Sequence, residues 1–168
     1  MKHVLLTGGA GSIGVHVVAH LLESTDWQIV VLDSLRHKGD RGRLTDFCAG
    51  TDGWPDRVTI LQHDLVCPIS QSLKTQIGPV DYILHLAAIS DVGFSVDNRR
   101  YTIVNNVEST VTMLDYAAET AHEAFVYFST DEVYGPVQRD SAGHPEWDVL
   151  RPSNSYAASK AAGEVLSY

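Results

Sequence analysis

Short, largely apolar runs alternate along this chain with longer stretches in which apolar residues recur at helical spacing. The runs do not alternate between apolar and polar residues, which is typical of strands buried on both faces of a parallel sheet. The runs are 4–6, 29–32, 58–61, 82–86 and 124–128. A helix is predicted over 12–23, with Ile13, Val17, Val18, Leu21 and Leu22 on one face. The alternation predicts an α/β fold.

A longer helix is predicted over about 98–121. Its apolar positions are spaced alternately three and four residues apart, so they form one stripe. Such a stripe packs a helix against the sheet, or it carries a subunit interface as well, and the sequence leaves both open. The stripe consists of Val104, Val107, Val111, Leu114, Ala118 and Ala121.

Two connections, 49–57 and 135–155, are rich in glycine and proline and are predicted to be irregular. The second is long for a connection between a strand and a helix, which is typical of a functional loop. No internal repeat or linker divides the chain, so residues 1–168 are expected to form one domain.

Composition narrows the classes of function. Acidic residues outnumber Lys and Arg by 21 to 12, and the net charge of −9 disfavours binding to nucleic acid or to an anionic membrane. The two cysteines, Cys48 and Cys67, form no CxxC pair, and no histidine and carboxylate pattern indicates a metal site. Because no apolar stretch is long enough to span a membrane and no signal peptide is visible, a cytoplasmic location is expected.

A glycine-rich turn follows the first predicted strand and opens the first predicted helix. It reads Thr-Gly-Gly-Ala-Gly-Ser-Ile-Gly over 7–14. In dinucleotide-binding turns, glycines at such positions permit a tight bend, close approach of a pyrophosphate and close packing of helix on strand. The glycines with these roles here are Gly8, Gly11 and Gly14. The turn predicts a dinucleotide site at the N-terminus of the helix.

An acidic residue, Asp33, ends the second predicted strand 19 residues after Gly14. A carboxylate at this point binds the hydroxyls of the adenosine ribose and repels a 2′-phosphate, so it favours NAD over NADP. Arg36 and Lys38 follow closely and argue mildly for NADP. NAD is therefore the expected cofactor.

Tyr156 and Lys160 are one helical turn apart, which brings the phenol and the ammonium to the same helix face. A neighbouring cation favours the phenolate, so the tyrosine can serve as a base near neutral pH. By itself the spacing also describes a surface tyrosine beside a surface lysine. Its place after the glycine turn and Asp33 favours the catalytic interpretation.

A hydroxyl and two carboxylates, Thr130, Asp131 and Glu132, follow the last predicted strand. Ligands bind at this carboxyl edge of a parallel sheet, and neighbouring carboxylates can supply both an acid and a base. The alternative is a helix cap or turn that uses Thr130 and Asp131.

These motifs, with Asp64-Leu65 and His85-Leu86-Ala87-Ala88, resemble an extended short-chain dehydrogenase/reductase of the NAD-dependent epimerase/dehydratase family. Residues 129–135, Ser-Thr-Asp-Glu-Val-Tyr-Gly, are most similar to the 4,6-dehydratases, typified by dTDP-glucose 4,6-dehydratase. The resemblance implies a Rossmann-type, doubly wound parallel sheet of order 3-2-1-4-5. It also implies a lyase that acts on a nucleotide-diphosphate sugar.

The resemblance implies a role for individual residues. Tyr156 takes a proton as NAD oxidises carbon 4 of the sugar, Glu132 removes the proton on carbon 5, and Asp131 protonates the hydroxyl leaving carbon 6. Thr130 binds the oxygen on carbon 4, and Lys160 binds the nicotinamide ribose and depresses the pKa of Tyr156. The implied coenzyme contacts are Gly8, Gly11, Ser12, Ile13, Gly14, Asp33, Ser34, Leu35, Arg36, Asp64, Leu65, Leu86, Ala87, Ala88, Asn105, Tyr156 and Lys160.

The chain departs from the family pattern at two points. After Ala88 the dehydratases usually carry Glu-Ser-His-Val-Asp-Arg-Ser, whereas 89–95 read Ile-Ser-Asp-Val-Gly-Phe-Ser. Ser90 is matched and is expected in the substrate site, while the identity of nucleotide and sugar stays open. Members are also longer, so residues 1–168 are expected to be the NAD-binding domain, with the C-terminal substrate domain absent.

Three further expectations follow from the resemblance. A 4-epimerase or decarboxylase of the same family is the nearest alternative activity. A non-catalytic NAD-binding fragment is the alternative from another class. The family dimerises through long helices, so the apolar stripe favours a homodimer.

Overall fold

In the computed structural model, which describes residues 1–137 and 143–168, five strands form one parallel sheet. The order is β3-β2-β1-β4-β5, which confirms the predicted doubly wound topology. The strands are β1 (His3–Thr7), β2 (Gln28–Asp33), β3 (Val58–Gln62), β4 (Tyr82–His85) and β5 (Ala124–Tyr127). The helices are α1 (Gly14–Ser24), α2 (Arg41–Cys48), α3 (Gln71–Ile77), α4 (Val92–Asp97), α5 (Arg99–Ala118) and α6 (Ser155–Ser167), with a 3-10 helix at Asp131–Tyr134.

The central strand β1 is buried on both faces, as its continuous apolar run predicts. Leu5 pairs with Val30 of β2 and Ile83 of β4, and belongs to a core cluster on one face of the sheet. Val4 and Leu6 belong to the cluster on the opposite face. Since successive side chains of a strand point to opposite faces, both sides of the sheet are covered by apolar packing.

The first helix starts two residues later than predicted, at Gly14. Val18, Leu21 and Leu22 form its buried face as expected, but Ile13 precedes the helix and is 64% exposed. The prediction that Ile13 belongs to the packing face was wrong because the glycine turn extends through this residue.

Helix α5 turns a polar face inward. Thr102, Asn106 and Thr110 are buried, whereas Val104 of the predicted apolar stripe is 41% exposed. Only the C-terminal half of α5 contributes to the apolar core on the sheet, through residues such as Met113. The apolar stripe is therefore not the buried face of the helix, because polar residues occupy that face, of which Asn106 and Thr110 are hydrogen-bonded.

Three helices, α2, α3 and α4, carry too little apolar periodicity to be predicted. Each begins with a side-chain cap: Asp40, Ser70 and Asp91 accept hydrogen bonds from backbone N–H groups in the first turn. Such caps satisfy donors that a short helix leaves unpaired.

In their described residues before α6, the two connections predicted to be irregular contain turns at 49–50, 52–57 and 146–147 but no strand or helix. Residues 138–142 of the second connection lie outside the described residues. Among the described helices, none is both long and apolar enough to cross a membrane.

Candidate functional site

A cavity of about 450 Å³ opens at the carboxyl edge of the sheet, bordered by the loops after β1, β2, β3, β4 and β5 and by α6. This is the edge at which doubly wound sheets bind ligands. Of the implied coenzyme contacts, all except Leu35 line this cavity, and Ser90 does too. The lining also includes His37, Lys38, Gly39, His63, Ile89, Asp91, Phe94, Ser109, Phe128 and Ser129, which sequence reasoning did not assign to the site.

Gly8 and Gly14 are required by the shape of the turn. Gly8 has a φ of +72°, and a Cβ there would lie 2.8 Å from the backbone of Ala87 in the loop after β4. A Cβ on Gly14 would lie 2.2 Å from the carbonyl oxygen of Gly8. The missing side chains allow the turn, α1 and the loop after β4 to pack against one another.

The N-terminus of α1 faces the cavity without a side-chain cap. Ser12 and Ile13 both line the cavity, and their backbone N–H groups donate to no acceptor among the described residues. Unpaired amides and the positive end of the helix dipole favour an anionic group such as a phosphate. The turn therefore fits the phosphates of a dinucleotide.

Asp33 ends β2 beside the glycine turn, and only 7% of the residue is exposed. Its carboxylate accepts hydrogen bonds from the N–H of Ala10 at 3.0 Å and of Leu35 at 2.9 Å. Each carboxylate oxygen has a second lone pair, so both can still accept from ribose hydroxyls. The contact to Ala10 fixes the carboxylate relative to the phosphate-binding turn.

Leu35 and Arg36 have different roles beside Asp33, in the part of the site where the adenosine is expected. Leu35 has a φ of +53° and contributes its backbone N–H to Asp33, while its side chain is not in the cavity lining. The guanidinium of Arg36 pairs with the Asp64 carboxylate at 2.7 Å. This ion pair joins the loops after β2 and β3 at one wall of the cavity.

A second bridge joins the loop after β2 to α4 and α5. Lys38 Nζ lies 2.9 Å from Asp91 Oδ2, and His37 Nε2 lies 2.9 Å from the Tyr101 hydroxyl. The rings of His37 and Phe94 pack edge to face, with centroids 6.2 Å apart. Sequence reasoning missed this bridge because its partners lie more than 50 residues apart.

Tyr156 and Lys160 lie on α6 and both line the cavity. Burial raises the pKa of Tyr156, and the nearby Thr130 hydroxyl opposes that rise. Burial lowers the pKa of Lys160 to about 8, and its ammonium lies 4.0 Å from the centroid of the Tyr127 ring. The net shift of the Tyr156 pKa is therefore upward, whereas the resemblance implies a depression by Lys160.

Thr130, Asp131 and Glu132 are not in the cavity lining, but they adjoin Tyr156. Thr130 Oγ1 accepts from the N–H of Glu132 at 3.3 Å and caps the 3-10 helix, so the capping interpretation is realised. The negative charges of Glu132 and Asp131 act to raise the pKa of Tyr156, and the 3-10 helix that carries both carboxylates packs against α6. Capping and a catalytic role are thus compatible at this position.

A buried hydrogen-bonded histidine supports the coenzyme loops. The Thr110 hydroxyl donates to the Asn106 carbonyl at 2.8 Å, so its oxygen accepts from the N–H at His85 Nε2, 3.3 Å away. In the neutral ring Nδ1 is then an acceptor, and Thr7, whose Oγ1 accepts from the N–H of Ala87 at 3.1 Å, donates to it at 2.8 Å. Burial lowers the pKa of His85 to about 3, which keeps the ring neutral.

Asn106, next to the predicted contact Asn105, ties the loop after β4 to α6. Its side chain accepts from the N–H of Ile89 at 2.8 Å and donates to the Ile89 carbonyl at 3.0 Å. It also donates to Ser159 Oγ at 2.8 Å. Asn105 lines the cavity, whereas Asn106 holds its walls together.

No cluster of three or more His, Cys, Asp or Glu side chains suited to a metal ion occurs among the described residues.

The chain matches the NAD dependent epimerase/dehydratase family over residues 4–167. It is 35% identical over 172 residues to dTDP-glucose 4,6-dehydratase from Streptomyces antibioticus, a match that covers 98% of this chain and 48% of that protein. The chain spans about half the length of such curated relatives.

Two solved structures have the same fold. One is the dTDP-glucose 4,6-dehydratase DesIV from Streptomyces venezuelae with NAD bound, at a TM-score of 0.84 and 34% identity, covering 98% of this chain and 50% of that one. The other is UDP-glucose 4-epimerase from Thermus thermophilus in complex with NAD, at a TM-score of 0.83 and 30% identity, covering 98% and 49%.

The family match extends over nearly the whole described fold, from β1 into α6. It includes the glycine turn, the carboxylate at the end of β2 and the tyrosine and lysine of α6. The chain therefore belongs to the NAD dependent epimerase/dehydratase family.

Proposed function

We propose that this chain is the coenzyme-binding and acid/base part of an NAD-dependent nucleotide-sugar 4,6-dehydratase, a lyase. The observation that carries the proposal is the packing of the 3-10 helix of Asp131 and Glu132 against α6, the helix of Tyr156, beside a cavity suited to a dinucleotide. Oxidation at carbon 4 needs one base, and elimination across carbons 5 and 6 needs a second base and an acid. This cluster holds groups for all three tasks.

NAD is the coenzyme that the cavity fits best. The turn at 8–14 would hold the pyrophosphate, and Asp33 would accept from the adenosine ribose hydroxyls and repel the 2′-phosphate of NADP. Arg36, which could have favoured NADP, is paired with Asp64. When bound, NAD supplies a nicotinamide ring that takes a hydride from the sugar and later returns it.

Tyr156 would take the proton of the hydroxyl on carbon 4, which leaves a ketone there. Burial raises the pKa of this phenol, so nearby positive charge is needed to favour the phenolate. Lys160 and the cationic nicotinamide would supply that charge. Thr130 would hydrogen-bond the oxygen on carbon 4 and so hold it near the phenol.

Glu132 and Asp131 would then remove water from the sugar. The ketone acidifies the hydrogen on carbon 5, which Glu132 takes as a proton, while Asp131 protonates the hydroxyl that leaves carbon 6. Glu132 returns its proton to carbon 5 once carbon 6 is reduced. The net change is loss of one water, giving a 4-keto-6-deoxy sugar with no net oxidation.

Two other functions are compatible with the site. A 4-epimerase of the family, like the UDP-glucose 4-epimerase from Thermus thermophilus, or a decarboxylase needs no acid and base at carbons 5 and 6. A non-catalytic NAD-binding module would need only the coenzyme cavity at the edge of the sheet. The sequence at 89–95 leaves the nucleotide and sugar open, with Ser90 as the proposed substrate contact.

We further propose a homodimer in the cytoplasm. The exposed side of α5 carries Tyr101, Ile103 and Val104, each more than a third exposed. A second copy could cover this apolar surface. The cytoplasmic location rests on the two free cysteines, Cys48 and Cys67.

The proposal is tested by incubating the chain with NAD and, in turn, dTDP-, UDP-, GDP- and CDP-glucose. Mass spectrometry should detect a product one water lighter than one of these sugars. Glu132→Gln should lower its rate of formation about 10²- to 10⁴-fold, the usual contribution of a general base. An epimer that keeps its carbon 6 hydroxyl would establish the rival activity, and NAD binding without turnover would favour the non-catalytic module.

A further inference from the structure

The side chain of Asn154 touches two parts of the acid/base cluster at once. Its Oδ1 accepts from the N–H of Ala157 at 2.8 Å and caps α6, the helix of Tyr156. Its Nδ2 donates to Glu132 Oε2 at 2.7 Å. We propose that Asn154 is a positioning residue that holds the Glu132 carboxylate in place for proton transfer at carbon 5. This inference rests on the proposed dehydratase function.

The chemistry of the amide fixes which atom faces which partner. The backbone N–H of Ala157 requires an acceptor, so the amide oxygen must point into α6. The NH₂ group then points away from the helix, and a carboxylate, which accepts only, is its matching partner. The cap of α6 and the contact with Glu132 therefore require the same orientation of the Asn154 amide.

The backbone brings Asn154 to Glu132 by folding the connection back on the 3-10 helix. The N–H of Arg151 donates to the Val133 carbonyl at 2.9 Å. Gly135, with a φ of +86°, leaves room for this return, since a Cβ there would lie 2.6 Å from the Arg151 carbonyl oxygen. The residues on either side of the connection are thus pinned together.

The contact leaves one carboxylate oxygen for chemistry. Glu132 Oε2 is held by Asn154, whereas Oε1 accepts no hydrogen bond from the described residues. A glutamate has three rotatable bonds, and fixing one oxygen restricts where the other can lie. Because the same amide caps α6, it also sets the base at carbon 5 relative to Tyr156, the base at carbon 4.

Two substitutions separate positioning from capping. Asn154→Ser keeps a cap of similar strength, but its hydroxyl lies near the position of the asparagine Cγ, too far from Glu132 to donate. Asn154→Asp keeps the cap and the shape and sets a second carboxylate against Glu132. Ser70→Ala removes the cap of α3 elsewhere in the fold and serves as the control for lost capping.

The variants are assayed as the full chain in D₂O with NAD and the nucleotide sugar that the wild type converts, following the 4-keto-6-deoxy product and the deuterium at its carbon 5. We expect kcat to fall about 10- to 100-fold in Asn154→Ser and further in Asn154→Asp, with KM nearly unchanged, because a misplaced base slows the step that follows binding. Ser70→Ala should lower the Tm without lowering kcat. A kcat for Asn154→Ser equal to that of the wild type would overturn the inference while leaving the dehydratase function intact.

A second measurement does not depend on turnover. In ¹⁵N-resolved NMR spectra, the side-chain NH₂ resonances of Asn154 should shift in Glu132→Gln, while those of Asn98 should not. Unmoved Asn154 resonances would contradict the contact itself. If the wild type gave no product, the dehydratase function would fail by the product assay, and the contact would still be decided by these spectra.

Discussion

Replacing Gly14 by alanine is expected to destabilise the chain, because the added methyl would clash with backbone atoms of Gly8 and Gly9. A Cβ at Gly14 would lie 2.2 Å from the Gly8 carbonyl oxygen and 2.6 Å from Gly9 Cα. Relief requires the start of α1 to move away from the turn. Overpacking costs about 1–3 kcal/mol, and the better helix propensity of alanine offsets at most ~1 kcal/mol. We expect a net loss of about 2 kcal/mol, or ~4–8 °C in Tm.

Gly11 is the matched control within the same turn. A Cβ there meets only the Gly8 carbonyl oxygen within 4 Å, at 3.2 Å, and the residue does not have a positive φ. Gly11→Ala should therefore change the Tm by less than about 2 °C, since the tight contact and the lower entropy of the unfolded chain oppose each other. Its methyl would enter the cavity where we place the pyrophosphate. The affinity for NAD should thus fall at least about 10-fold, or ~1.4 kcal/mol.

The two variants are compared with the wild type by thermal unfolding and by calorimetric titration with NAD. The expected pattern is a lower Tm for Gly14→Ala and weak NAD binding at a near-normal Tm for Gly11→Ala. Wild-type NAD affinity in Gly11→Ala would mean that the phosphates do not lie on this turn. An unchanged Tm in Gly14→Ala would refute the packing argument.

Further predictions concern the cavity walls and pH. Lys38→Asp should speed NAD dissociation, measured by stopped flow, about 2- to 5-fold, because it removes an exposed ion pair with Asp91. Lys38→Arg keeps a cation opposite Asp91 and should leave the rate nearly unchanged; equal rates for the two variants would contradict a bridge over the site. Asp33→Asn should improve binding of NADP relative to NAD about 10-fold in parallel titrations, since the repulsion of the 2′-phosphate is removed. The pKa of His85 is lowered from 6.5 to about 3, so its contribution to stability is present above pH 6.5 and is lost as pH falls towards 3. Between pH 7 and pH 5, the free energy of unfolding measured in urea should therefore fall less in His85→Gln than in the wild type, by up to ~2 kcal/mol. Equal falls would show that His85 is not the source of the pH dependence.

The sheet could be predicted from sequence because each strand is encoded locally. The apolar runs around Leu5, Val30 and Ile83 each describe a strand buried on both faces, and the intervening helices require parallel connections. The inward face of α5 could not be predicted in this way. Its buried residues, Asn106 and Thr110 among them, are polar, and they are stable inside only because His85 and Ile89 provide partners from elsewhere in the chain.

Most residues expected at the coenzyme do line the cavity, for a related reason. Most of them lie in loops directly after strands, so a motif such as the glycine turn carries both its conformation and its position on the sheet. The bridge of Lys38 to Asp91 has no such local signal. Its two partners belong to different loops, and only the folded sheet brings them within 2.9 Å. The role of Asn154 was missed because Asn154 and Glu132 are far apart in the sequence, and only the folded chain brings their side chains into contact.

The two sides of the site therefore differ in how the chain specifies them. In the proposed function, the phosphates of the dinucleotide would be bound mainly by backbone, at a turn where a side chain at Gly8 or Gly14 would clash with neighbouring backbone. The proton-transfer groups depend on side-chain contacts, and the contact of Asn154 with Glu132 sets one base relative to the other. A family that keeps the first arrangement can change its chemistry by altering the second, because substitutions near Glu132 leave the turn untouched. On this argument, the residues around the 3-10 helix decide between elimination and epimerisation, while the glycine turn serves both reactions alike.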